Sequence, residues 1–187
     1  MKYTIETIKE IARNDPERAI IFFWGHTPDP TRITAACLSQ WYDCTFEVDG
    51  VMYHTAEQYM MACKARLFND EHILDKIMSA DHPRDYKKLG RKISGFDSTV
   101  WDGKKYDIVV EGNKAKFGQH AELREFLLST GDAILAEASP YDKIWGIGLN
   151  RYQAQKVPVE QWQGENLLGC ALMDVRDWLR SAAEQHD

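Results

Sequence analysis

Two short alternating runs, Thr45-Phe-Glu-Val48 and Val51-Met-Tyr-His54, face each other across Asp49-Gly50, and no other feature limits the folding of this chain as strongly. Asp-Gly supplies two central turn residues that tolerate positive φ, so the flanking runs are predicted to form a β-hairpin. The residues that follow leave no room for a loop. Thr55-Ala-Glu-Gln58 has the spacing of a capping box, in which the Thr hydroxyl and the Gln amide satisfy backbone N–H groups at a helix start. The hairpin must therefore run straight into a helix, predicted to extend to about Phe68.

The rest of the chain is read around that unit. Ile5, Ile8 and Ile11 recur at helical spacing between Thr4 and Arg13, and Asn14-Asp15-Pro16 stops the segment. Ala19 to Trp24 is a short β-branched and aromatic run ending at Gly25, which predicts a buried strand. Residues 25–36, with Pro28 and Pro30, are expected as loop. Further helices are predicted over 71–79, 83–92, 104–118 and 120–130. A last one runs from about Glu165 to Ala182, with Leu168, Ala171, Leu172, Val175, Trp178, Leu179 and Ala182 on a stripe that should face the core. The predicted class is mainly α, an α+β chain with a small strand and hairpin element.

Composition excludes several functions. A chain of 187 residues fits one compact domain. Its 23 basic and 29 acidic side chains give a net charge of −6 without a Lys/Arg block, which disfavours non-specific binding to a nucleic-acid backbone. No apolar run approaches the roughly 20 residues that span a bilayer, and the first residues lack a signal-peptide core. A cytoplasmic protein without membrane contact is expected. Cys37, Cys44, Cys63 and Cys170 form no CxxC pair and the six histidines no HExxH pattern, so reduced core thiols and no metal site are expected.

The chemistry concentrates on the helix after the hairpin. Glu57 and Lys64 are seven residues apart and differ by only about 20° around a helix axis. Met60 and Met61 lie between them on that side. A carboxylate and an ammonium on a core-facing stripe are costly to bury unless paired or lining a wet cavity. The Lys stem leans toward the helix N-terminus, leaving a gap between head groups about the size of a sugar. That spacing suits reaction at a glycosidic carbon. The carboxylate would steer water or stabilise an oxocarbenium ion, and the lysine would donate a proton or form a Schiff base with an opened sugar. The structural alternative is that Glu57 serves the helix dipole and Lys64 snorkels to the surface. Trp41, Trp101 and Trp145 stand beside polar or Gly-rich loops, where they either stack on a base or pack in the core. Ser139-Pro-Tyr-Asp-Lys-Ile-Trp-Gly-Ile-Gly148 reads as a turn whose Gly residues allow close backbone approach. Its Gly spacing is not that of a dinucleotide-binding fingerprint.

Taken together, these segments resemble the YbiA-like, or NADAR (NAD- and ADP-ribose-associated), family over about residues 20–180. The matching pieces begin with Leu38-Ser-Gln-Trp-Tyr42, Val48-Asp-Gly50, Ala56-Glu-Gln-Tyr-Met-Met61 and Lys64-Ala65. Leu89-Gly-Arg91, Phe96-Asp97 with Trp101, Lys116-Phe117 and Leu127-Leu-Ser-Thr-Gly131 follow. The last are Glu137 to Leu149, Gly164-Glu-Asn-Leu-Leu-Gly169 and Ala171-Leu-Met-Asp-Val-Arg176. The resemblance implies a single-domain YbiA-like fold over 19–187 with a helical extension at 1–18, which would cover the pocket or mediate self-association. It implies an N-glycosidase without metal or cofactor, acting on a small ribosyl or nucleotide substrate.

Residue by residue, it implies catalytic roles for Glu57, Lys64, Trp101 and Asp142. Substrate-binding roles fall on Ser39, Gln40, Trp41, Trp145, Gly146 and Asn166. Asp142 would bind ribose hydroxyls or position Lys64, and Trp101 and Trp145 would sandwich the base. Ser39-Gln40-Trp41-Tyr42 departs from the family's common Ser-Asn-Phe-Tyr, which bears on ribose or base recognition. The substrate class implied first is an early pyrimidine intermediate of riboflavin synthesis. The alternatives are removal of ADP-ribose from guanine in nucleic acid, and non-catalytic sensing of ADP-ribose or NAD.

Overall fold

Thr4 opens the first helix, α1 (Ile5–Asn14): its hydroxyl accepts from the Thr7 N–H, and Thr7 Oγ1 accepts from the Thr4 N–H. This computed structural model describes residues 1–184, organised as two compact units. Met1–Ser39 and the described residues from His120 onward form the first, and Gln40–Gln119 the second.

In the first unit, β1 (Ile20–Phe23) pairs in parallel with β4 (Ile134–Glu137), from Ile20 against Ile134 to Phe23 against Glu137. The strand at 19–24 is where the aromatic run predicts it. Its partner was not expected, because Ile134-Leu-Ala-Glu137 is too short to show a period. A 3-10 turn at Ala35–Leu38 starts at the end of the expected loop and runs past it. The helices of this unit are α1, α7 (Ala121–Ser129), the short α8 (Arg151–Ala154) and α9 (Leu167–Glu184), with a second 3-10 turn at Val159–Gln161. Leu135, Ala136, Leu168, Ala171, Leu172 and Val175 are buried where α9 packs on β4. Trp178 does not join them and is 41% exposed. It lies about 80° around the axis from Leu168, at the margin of the stripe rather than inside it. The extension α1 is integral to this unit: Ile8 is fully buried, Tyr3 Oη donates to Asp177 at 2.9 Å, and Arg13 pairs with Glu160 at 3.3 Å.

In the second unit, β2 (Phe46–Val48) and β3 (Val51–Tyr53) form the expected antiparallel hairpin, with Asp49 at φ 52° and Gly50 at φ 77°. The helix after it is α2 (Ala56–Leu67). Thr55 Oγ1 accepts from the Gln58 N–H at 3.1 Å, but Gln58 does not close the box on Thr55. Its Oε1 reaches one residue further back to the His54 N–H at 2.7 Å, and its Nε2 donates to Ile77 O at 3.1 Å. The amide thus ties the hairpin, the helix start and α3 (Glu71–Met78) together. α4 (Pro83–Gly90), α5 (Ser98–Asp102) and α6 (Lys105–Gln119) complete the unit.

α2 is no half-exposed amphipathic helix. Residues 56 to 62 and Ala65 are buried, because α3, α4 and α6 all pack against it. Two glycines make this possible: a Cβ at Gly90 would lie 2.1 Å from Met61 Sδ, and one at Gly112 would lie 2.5 Å from Tyr59 Cδ1. The observed architecture is mainly α, as expected, and among the described residues the expected hairpin is joined by a second two-stranded element, β1 with β4. The four cysteines are free, with Cys37, Cys44 and Cys170 buried and Cys63 half-buried. No helix among the described residues is long and apolar enough to cross a membrane.

Candidate active site

The second unit gathers Glu57, Lys64, Trp101 and Gln40. Glu57 is the second residue of α2 and only 4% exposed; its backbone N–H donates to Gln40 O at 2.9 Å. Lys64, two turns on, is half-buried, and its Nζ donates to Gly90 O at 3.0 Å, at the C-terminal end of α4. The same Nζ lies 4.2 Å from the Phe96 ring centroid and 5.4 Å from that of Trp101. A carbonyl at a helix C-terminus and two ring faces suit a cation without neutralising it. Burial pushes the Lys64 ammonium below the usual lysine range, and the charge of Glu57 opposes that shift in part.

The segment carrying those rings, a loop at Phe96 and α5 at Trp101, is held by local turns. Asp70 Oδ2 accepts from the Ser94 N–H at 2.8 Å, Gly95 takes φ 66°, and Asp97 caps α5 through the Val100 N–H at 3.0 Å. Phe96 also packs on Phe68, with centroids 5.3 Å apart. Gln40 is 8% exposed and Trp41 half-buried. Ser39, half-buried, belongs to the first unit as the C-cap of the 3-10 turn.

Two features of the second unit were not foreseen. Phe96 is one, since nothing in its spacing links it to Lys64. The other is Lys116, fully buried, with its Nζ 5.5 Å from the Tyr42 ring centroid and 5.1 Å from that of Phe117. Its signal was in the sequence. Val109, Gly112, Asn113, Lys116 and Phe117 recur at helical spacing and are all buried, so a lysine on that stripe is marked in the same way as Lys64.

The first unit gathers Asp142, Trp145, Gly146 and Asn166, and there the polar groups serve the backbone. Asp142 Oδ1 accepts from the Ile144 N–H at 2.9 Å and the Trp145 N–H at 2.8 Å, which is the side-chain turn its position predicts. Gly146 is buried, and a Cβ there would come within 2.9 Å of Asp142 O and Glu137 O. Its own carbonyl accepts from the Asn166 N–H at 3.1 Å, and Trp145 O accepts from Leu168 N at 3.1 Å. Asn166 sits at φ 54° and is fully buried. Its Oδ1 accepts from Glu137 N at 3.1 Å and its Nδ2 donates to Leu135 O at 2.9 Å. These bonds strap the 139–149 loop, β4 and the start of α9 together. Trp145 is half-buried. This unit also holds a cavity of about 380 Å³ lined by Trp24, Phe22, Ala35 and Arg151, among others, and by none of the candidate site residues.

Comparison with known proteins gives the chain a family. The NADAR domain model matches residues 22–180, taking in segments of both units. The N-glycosidase R617 of Acanthamoeba polyphaga mimivirus is 44% identical over 162 residues, covering 84% of this chain and 94% of that protein. Protein irg-1 of Caenorhabditis elegans is 38% identical over 129 residues, 67% of this chain and 61% of that one. The N-glycosidase YbiA of Escherichia coli is 34% identical over 133 residues, covering 71% and 74%. The NMR structure of the E. coli protein YbiA matches with a TM-score of 0.74 at 29% identity, over 91% of this chain and 90% of that chain.

Proposed function

The chain belongs to the NADAR domain family, and from that membership we propose that it is an N-glycosidase, hydrolysing the bond between a ribosyl carbon and nitrogen in a phosphorylated ribosyl-amine or nucleotide. The observation that carries the reading is the pair on α2. Glu57 is almost fully buried, and Lys64 is a half-buried cation whose hydrogen-bond acceptor is a neutral carbonyl.

As the C–N bond breaks, positive charge develops on the ribosyl carbon and negative charge on the departing nitrogen. The Glu57 carboxylate stabilises the oxocarbenium-like carbon, orients the attacking water and takes the proton that water loses as it adds. The Lys64 ammonium delivers a proton to the leaving nitrogen. Burial weakens its hold on that proton, while Glu57 keeps it charged until the transfer. Trp101 offers its face to the leaving base, and Gln40 and Trp41 contribute to substrate binding. Ser39, Trp145 and Gly146 shape the loops of the first unit, where Asp142 and Asn166 act as positioning residues through the backbone groups they hold.

The substrate class we assign is the phosphoribosylamino-pyrimidine type found early in riboflavin synthesis; a net charge of −6 disfavours the nucleic-acid alternative. The test is base release by wild type and by Glu57→Gln, on that substrate and on an oligonucleotide carrying ADP-ribosylated guanine. Wild-type turnover, reduced about 10²- to 10³-fold in a folded Glu57→Gln protein, is the expected result. Undiminished turnover by the variant ends the assignment. Turnover of the oligonucleotide alone transfers the enzyme to ADP-ribose removal.

A further inference from the structure

We propose that Asn113 is a positioning residue that fixes the polarity of the Gln40 carboxamide, so that the site presents an N–H₂ group to an acceptor oxygen of the substrate. The inference rests on the N-glycosidase reading and deepens it.

A carboxamide can ordinarily be turned either way, with its oxygen and nitrogen exchanged. In this structure the backbone removes that freedom. Asn113 Nδ2 lies 2.8 Å from Val109 O, one turn earlier in α6. A peptide oxygen only accepts, so the Asn113 atom facing it must be the donor nitrogen. The same Nδ2 lies 2.8 Å from the end of the Gln40 side chain, and the atom it meets there must accept, which makes it Oε1. The Gln40 nitrogen, with two N–H donors, is therefore turned away from Asn113. No group among the described residues accepts a hydrogen bond from it.

The position of that nitrogen gives it a use. Gln40 O accepts the backbone N–H of Glu57 at 2.9 Å, so the residue offering the free donors is bonded to the one carrying the carboxylate. Gln40 retains 8% of its surface, while Asn113 retains none. Asn113 is an expensive choice for packing alone. Its Oδ1 is buried with no hydrogen-bond partner among the described residues, a cost that an apolar side chain of similar size would not carry. What the carboxamide adds is the donor that turns Gln40 outward. A neutral N–H₂ group discriminates sharply for a substrate oxygen that accepts, since a ligand lacking one leaves buried donors unpaired.

The experiment is a double-mutant cycle of Asn113→Leu and Gln40→Met, reading KM and kcat for base release from the phosphoribosylamino-pyrimidine, with unfolding midpoints for each protein. Asn113→Leu is expected to raise KM about three- to tenfold with little change in kcat, and the double variant to be no worse than Gln40→Met alone. Additive KM effects overturn the proposal, because a residue acting through Gln40 has nothing to act on once that amide is gone. Gln40→Glu is the second arm and keeps Asn113 intact. A carboxylate still accepts from Asn113 Nδ2 but turns an acceptor outward, so its KM should exceed that of Gln40→Met. This arm decides alone if Asn113→Leu does not fold, and a wild-type KM in Gln40→Glu overturns the proposal. A wild-type protein inert toward the pyrimidine overturns the enzymatic reading and the inference with it, whereas an active wild type with additive variants overturns the inference only.

Discussion

Asp142 and Glu57 are both acidic residues in segments that match the family, yet their surroundings differ in kind. Asp142 uses Oδ1 on two N–H groups of its own turn, and nearby Asn166 uses both ends of its carboxamide on β4. In the second unit, Glu57 is 4% exposed on a helix whose cation is held by one carbonyl and flanked by two rings. Membership of a motif therefore does not separate chemistry from scaffold. Burial and charge do so better: Glu57 is nearly out of solvent on a helix that also carries Lys64, whereas Asp142 is half-buried and caps its own turn.

The largest expected effect probes that contrast directly. Glu57→Gln should cost about 10²- to 10³-fold in kcat while the unfolding midpoint stays near wild type. Asp142→Asn should retain most of the rate and lose about 1 kcal/mol of stability, since an amide oxygen still accepts from the turn but more weakly. A matching pair of rate losses would abolish the distinction between the two regions. Next in size is Asn166→Ala. It leaves Glu137 N and Leu135 O without their buried partners and puts alanine at φ 54°, so chemical denaturation should show a loss of about 2–4 kcal/mol.

The smallest effect concerns pH. Burial holds the Lys64 pKa below that of the unfolded chain. Between those two values the unfolded state binds more protons than the native one, so stability rises with pH across that alkaline window. Lys64→Met should flatten the slope of denaturation free energy against pH there. An unchanged slope would show that Lys64 is not the desolvated cation described above.

How far the sequence could be read follows from the range of each signal. Asp49-Gly50 and the 3.6-residue period are local, and they locate the hairpin, α2 and the shared side of Glu57 and Lys64. The turn at Asp142 was legible for the same reason. β4 was not, because four residues of strand are specified by a parallel partner far away in the chain rather than by their own pattern. The surroundings of Lys64 were hidden in the same way: Phe96 lies on a loop, and Gly90 contributes an oxygen that every residue possesses. Lys116 is a different case. The stripe that marks it is visible in the sequence, but a lysine beside the apolar Phe117 reads as solvated until the helix is seen packed.

The acceptor at Gly90 has one more consequence. An oxygen belonging to the peptide link cannot be deleted by exchanging side chains, so the mooring of Lys64 is inherited from the path of the polymer. Alanine scanning cannot remove it, and at Gly90 itself the added Cβ would strike Met61 Sδ rather than test the tether. Only rerouting α4, or swapping that amide for an ester by chemical synthesis, could weaken the tether while every amino acid kept its identity.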